Sequence, residues 1–232
     1  TSKFNSFLLV FLSVILLSHK VFSFLRVTPL SEKCPLKLGK LSLDKTTRGR
    51  DVAVLFGDGA GAVVIKRKEV KDKAKDSYIF STHLFAEGTY AKELWVAGPG
   101  MANGAERISH EHLEQGLHYP QMNGKKVFAN AVRRMCECLG MALKTNNLKL
   151  EDIDLFLFHQ ANLRINQMIA QELKIPEEKV FNTIQKYGNT TAATLPIGMA
   201  EAVRAGKLKK GMLVASAAFG SGFTWASSVY RW

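Results

Sequence analysis

The chain has 232 residues, 47% of them hydrophobic and 22% charged, which excludes a disordered segment and leaves room for a sizeable core. Lys and Arg exceed Asp and Glu by 32 to 20, a net charge of +12 that favours an acidic partner. The basic residues are scattered, and no zinc-finger, Arg-rich or aromatic-interleaved basic motif accompanies them, which argues against nucleic acid.

The first stretch, "FLLVFLSVILL" from Phe7 to Leu17, has only Ser13 as a polar residue. Eleven residues are too few to span a bilayer, which takes about 20. Three readings stay open for it: a targeting or anchoring segment, a buried helix, and the product of an imperfect gene model. The corresponding localisations are cytoplasmic or membrane-associated through residues 7–27. Cys34, Cys136 and Cys138 are too few and too odd in number for a disulfide framework, so a reducing compartment is expected. Cys34, before Pro35 in a Lys-rich stretch, reads as an incidental loop thiol.

Orderly patterning begins near Leu41. "DVAVLFGDGAGAVVIK" reads as two short strands, 52–56 and 61–65, around a turn from Gly57 to Gly61. The glycines serve a tight turn and close backbone approach rather than a phosphate cradle, because the turn opens a β-rich run and not a helix. "SYIFSTHLFAEG" alternates as a strand should. Residues 124–144 form an amphipathic helix, with Val127, Ala131, Met135, Cys138 and Ala142 on one broad face. Cys136 and Cys138 lie about 200° apart around that helix and cannot grip one metal.

Next comes "LKLEDIDLFLFHQ", whose Leu155 to Phe158 are apolar without alternation, as in a strand covered on both faces. A helix follows from Asn162 and ends before Pro176. Another is expected over 190–205, with Pro196 in its first turn. Two strands close the chain at 211–218 and 224–230. The expected architecture is a layered α/β domain with a mixed sheet holding 52–56, 61–65, 154–158, 211–218 and 224–230, and helices 124–144 and 190–205 against it.

Three polar punctuations stand out in that frame. His159 ends a buried strand just before a helix, where open α/β sheets put their sites. Asn189 sits in "YGNTTAA", at another helix approach. "AFGSGFTW" puts a Gly-Ser-Gly turn after a buried strand. A lone histidine is more often a bonded core residue than a catalyst. Two neutral side-chain donors beside a free backbone N–H, however, are the inventory for stabilising an oxyanion or enolate. His159, Asn189 and the Phe219–Gly222 turn are therefore expected to converge.

Five stretches, "RGRDVAVLFGDGAGAVVI", "MNGKKVFANAV", "HQANLRI", "YGNTTAATLPI" and "AAFGSGFTWA", resemble β-ketoacyl-acyl carrier protein synthase III of the thiolase-like superfamily. The resemblance covers Arg48 to Trp232. It implies a thiolase-like layered fold, with residues 1–40 unlike the family. Residues 41–120 would be the end of the N-terminal half with its connection, and 121–232 the C-terminal half. It also implies a decarboxylative condensation of an acyl-CoA primer with malonyl-acyl carrier protein, starting fatty-acid synthesis, in a homodimer. No cofactor or metal is implied; acyl-CoA and the malonyl-carrier protein are substrates. His159 and Asn189 match the pair that stabilises the malonyl enolate, and Ser221 N–H the oxyanion hole. Asn162 matches a residue near the pantetheine arm, and Phe219 one lining the site. Arg164 matches a basic residue that docks the acidic acyl carrier protein, with Lys207, Lys209 and Lys210 as further basic candidates. The family's nucleophilic cysteine, in an Ala-Cys-Ala/Ser-Gly motif, has no match here. Either the chain represents such an enzyme incompletely, or it is an inactive remnant or carrier-protein-binding module.

Overall fold

A computed structural model describes the backbone of residues 22–28 and the residues 49–232. The expectations attached to Phe7–Leu17 and to Cys34 lie outside these residues. Among the described residues, no helix is long and apolar enough to cross a membrane.

The centre is a four-stranded mixed sheet. It contains β3 (Tyr78–Ala86), β6 (Leu155–Phe158), β7 (Leu213–Gly220) and β8 (Thr224–Arg231) in the order β3-β8-β7-β6. β6 runs parallel to β7, and both remaining pairs are antiparallel. Period-two alternation divides the side chains between two faces. Phe156 and Phe158 of β6 join Ala215, Ala217 and Phe219 of β7 in one core cluster. Leu155, Leu157 and Val214 join a second cluster on the other face. All four β6 side chains are buried, as the unalternating apolar run requires.

The first face is covered by helix α3 (Gly124–Thr145), whose Ala131, Met135, Cys138, Leu139, Ala142 and Leu143 are buried. Its start is set by Asn123, whose side chain accepts from Lys126 N–H at 3.3 Å. The second face carries α6 (Thr194–Arg204), which contributes Met199 and Ala202 to the second cluster. Between β6 and α6 lie α4 (Leu163–Glu172) and the single-turn α5 (Ile184–Tyr187), and between β3 and α3 lie the short β4 (Leu94–Trp95), α2 (His110–Glu114) and β5 (Gln121–Met122).

Two expected sheet members are elsewhere. Residues 61–65 do form a strand, β2 (Ala62–Arg67), but it pairs antiparallel with β1 (Phe22–Thr28) in a separate two-stranded sheet. Residues 52–56 are no strand. The chain makes a helical turn, α1 (Arg50–Ala53), closed by Ala53 N–H donating to Gly49 C=O at 3.0 Å. Only Phe56 keeps a β contact, an isolated parallel bridge to Asn189. The β-rich text of Val52 to Phe56 lacks a sheet neighbour, and Val54 is 70% exposed. Without cross-strand packing, β propensity decides little. The strand β3 takes the edge position instead, paired along its length with β8.

Candidate active site

His159 continues the parallel ladder one step beyond β6, its N–H donating to Ala217 C=O at 2.8 Å. The ring thus stands at the carboxyl end of two parallel strands. It is half-buried, and desolvation pushes its pKa down to about 4, so the ring is neutral at pH 7. Its Nδ1 lies 2.7 Å from Thr194 Oγ1.

The next residue, Gln160, is 2% exposed and makes three hydrogen bonds. Its Oε1 accepts from Thr183 N–H at 2.9 Å and Ile184 N–H at 3.1 Å, and its Nε2 donates to Phe158 C=O at 2.8 Å. One side chain thereby ties the His159 loop to the start of α5, four residues before Gly188-Asn189. Gln160 was not among the sequence candidates.

Asn189 is held from both sides. Its N–H donates to Leu55 C=O at 2.9 Å, and its C=O accepts from Gly57 N–H at 3.0 Å. Its side-chain Oδ1 accepts from Thr191 N–H at 2.9 Å, which leaves the amide NH₂ to face elsewhere. The glycine turn makes this clamp possible by close approach. A Cβ on Gly57 would lie 2.1 Å from Tyr187 O, and one on Gly61 2.7 Å from the Pro196 ring. Thr191 itself adopts φ 53°, a left-handed conformation uncommon for a β-branched residue.

His159, Asn189, Asn162, Phe219, Gly220 and Ser221 all border one open, largely apolar cavity of about 790 Å³. His159 and Asn189 are joined through the Thr191–Thr194 turn, and the β7–β8 turn reaches the same cavity. These residues thus share one cavity. Phe219 is 7% exposed, with its ring centroid 4.8 Å from that of Phe223. Ser221 is exposed, and its N–H meets no hydrogen-bond acceptor among the described residues.

Asn162 borders the cavity but also caps α4, its Oδ1 accepting from Arg164 N–H at 3.0 Å. Arg164 is exposed in the first turn of that helix, two residues after Asn162. The lysines grouped with it lie elsewhere. Lys207, Lys209 and Lys210 follow the far end of α6 and precede Leu213, where β7 begins. β7 then runs eight residues, roughly 26 Å at 3.3 Å each, before it reaches the site end. The three lysines thus occupy the opposite end of the sheet and share no surface with Arg164.

The two described cysteines offer no nucleophile. Burial pushes both Cys136 and Cys138 thiols up to about 11, and Cys138 is 1% exposed inside the core of α3.

Comparison with known proteins points to one family. Residues 39–88 match the model of 3-oxoacyl-[acyl-carrier-protein] synthase III, and residues 143–232 that of its C-terminal part. The chain is similar to β-ketoacyl-[acyl-carrier-protein] synthase III of Koribacter versatilis, with 43% identity over 183 residues, 79% of this chain and 53% of the relative. For the Caldanaerobacter subterraneus relative the identity is 41% over 200 residues, 85% and 58% of the two chains. Two solved structures are also similar. The synthase III from Aquifex aeolicus gives a TM-score of 0.67 at 40% identity, and that from Pseudomonas aeruginosa 0.68 at 32%. Each alignment covers 79% of this chain and 52% of the other. The chain spans about half the length of the relatives it matches. Its mixed α/β architecture is thiolase-like.

Proposed function

The chain belongs to the 3-oxoacyl-[acyl-carrier-protein] synthase III family, and on that ground we propose that it holds the enolate-stabilising part of a decarboxylative condensing enzyme. The substrates would be an acyl-CoA primer and a malonyl group on acyl carrier protein. Loss of carbon dioxide leaves an enolate whose oxygen carries the negative charge. His159 and Asn189 would each donate a hydrogen bond to that oxygen, and Ser221 N–H would serve the oxyanion of the attacked thioester.

The single observation that carries this reading is that a neutral imidazole and an oriented amide border the same largely apolar cavity. Neutral donors in a poorly hydrated pocket stabilise a developing anion without competing charge or large solvent reorganisation. Neither Cys136 nor Cys138 is suited to hold the acyl group, so the nucleophile would come from outside the described residues. A second reading, a carrier-protein-binding module without turnover, is favoured by that same absence of an activated thiol among the described residues.

The two readings part on one assay. Carbon dioxide release from a malonyl thioester should be measurable for the chain, and His159→Ala or Asn189→Ala should each lower it by about 10²–10³, the usual loss for one oxyanion donor. Equal release from wild type and both variants would remove the catalytic reading.

A further inference from the structure

Between the two site side chains lies a short hydrogen-bonded relay. Thr194 is 2% exposed, and its Oγ1 stands 2.7 Å from His159 Nδ1 and 2.9 Å from Thr191 C=O. The hydroxyl has one proton and two acceptors within reach. Thr191 C=O already accepts the Thr194 backbone N–H, which closes the turn Thr191–Ala193. The hydroxyl can therefore turn away without leaving that carbonyl unpartnered. His159 Nδ1 has no such second partner among the described residues.

We propose that Thr194 is a positioning residue: its hydroxyl donates to His159 Nδ1 and so fixes the proton of the cavity-lining ring on Nε2. A neutral imidazole has one donor and one acceptor nitrogen, so a proton received at Nδ1 dictates a proton at Nε2. The opposite pattern, with Nδ1–H donating to Thr194, would present a bare Nε2 lone pair, which repels an oxyanion. Thr191 couples the two sides. Its N–H holds Asn189 Oδ1, turning that amide's NH₂ outward, while its C=O anchors the start of α6 where Thr194 sits. The left-handed backbone of Thr191 lets one residue do both, and such conformations persist where surrounding bonds over-determine them.

The inference deepens the enolate-stabilising reading, but the tautomer is observable without turnover, so the two can fail separately. The test is ¹⁵N NMR of the histidine side chains in the 232-residue chain, assigned through His159→Gln, with malonyl-thioester decarboxylation measured alongside. Wild type should show His159 as the Nε2–H tautomer. Thr194→Val, nearly isosteric but without the hydroxyl, should lose that preference and slow decarboxylation about 10- to 100-fold, as removal of an orienting partner typically does. Thr194→Ser, which keeps the hydroxyl, should restore both the tautomer and most of the rate. An Nδ1–H tautomer in wild type, or an unaltered Nε2–H signal in Thr194→Val, would overturn the proposal. If wild type releases no carbon dioxide yet shows the hydroxyl-dependent tautomer, the functional reading fails and the positioning role stands.

Discussion

Replacing Gly57 by Ala tests how the glycine turn holds the site. The added Cβ would stand 2.1 Å from Tyr187 O and 3.2 Å from Tyr187 C. Both are backbone atoms, so no side chain can swing aside. An ordinary contact needs more than 3 Å, and the two segments must separate by about 1 Å. That separation stretches the bond from Gly57 N–H to Asn189 C=O, now 3.0 Å, beyond useful range and strains the one from Asn189 N–H to Leu55 C=O. Loss of one or both, at about 1 kcal/mol each, adds to an overpacking cost of about 1–3 kcal/mol. The expected loss is about 2–5 kcal/mol. Urea unfolding with an unchanged slope measures it. Gly88→Ala is the control, because a Cβ there meets nothing within 4 Å, and its effect should stay within about 0.5 kcal/mol. Equal midpoints for the two variants would refute the idea that close approach at Gly57 clamps Asn189.

Stability should also depend on His159. The ring titrates near 4 in the folded chain and about 6.5 when unfolded, so only the unfolded state takes up a proton between those values. Stability should fall as pH drops from about 6.5 to 4, by about 3 kcal/mol in total, and His159→Gln should flatten that slope in urea titrations at stepped pH. Phe156→Ala, at a fully buried position between β6 and α3, should cost about 3–5 kcal/mol by the same unfolding assay. Arg164→Glu should weaken acyl-carrier-protein binding at low salt, and less so above 0.5 M, since exposed charges are screened within about 10 Å at 0.1 M. Lys209→Glu, at the far end of the sheet, should leave titration isotherms unchanged; equal effects would contradict the separation of these charges.

Much of the sheet was legible because its signals are local. Four unalternating apolar residues just before His159 announced a doubly covered strand, and the amphipathic pattern of 124–144 announced α3. Gly57 to Gly61 announced close approach, although not against what. Partners far apart in the chain were harder to read. β2 lies apart from the main sheet because it pairs with β1, a segment whose text gave no reason to expect it. Val52 lies in a helical turn at Arg50–Ala53, whose bonds run back to Gly49 rather than across to a neighbouring strand.

The site itself was half legible. His159 and Asn189 stood out as polar residues at element ends, whereas Gln160, Thr191 and Thr194 looked like ordinary loop and cap residues. Their role depends on which groups the fold brings within 3 Å of them. A signal for Gln160 was available: a long amide inside an otherwise apolar flank must find several partners when buried. The misgrouped lysines have a similar remedy. A helix that starts at the site end of a parallel strand must carry the chain back to the other end, and residues after α6 lie there.

On the proposed function the chain stabilises a malonyl enolate, and neither described thiol holds the acyl group. The direct measurement supplies the purified chain with malonyl-acyl carrier protein and an acyl-CoA primer, and quantifies carbon dioxide and 3-ketoacyl product together. Carbon dioxide release should depend on His159 and Asn189, with no 3-ketoacyl product. Formation of 3-ketoacyl product matching the released carbon dioxide would contradict that expectation, and would show that a nucleophile within these 232 residues takes the acyl group.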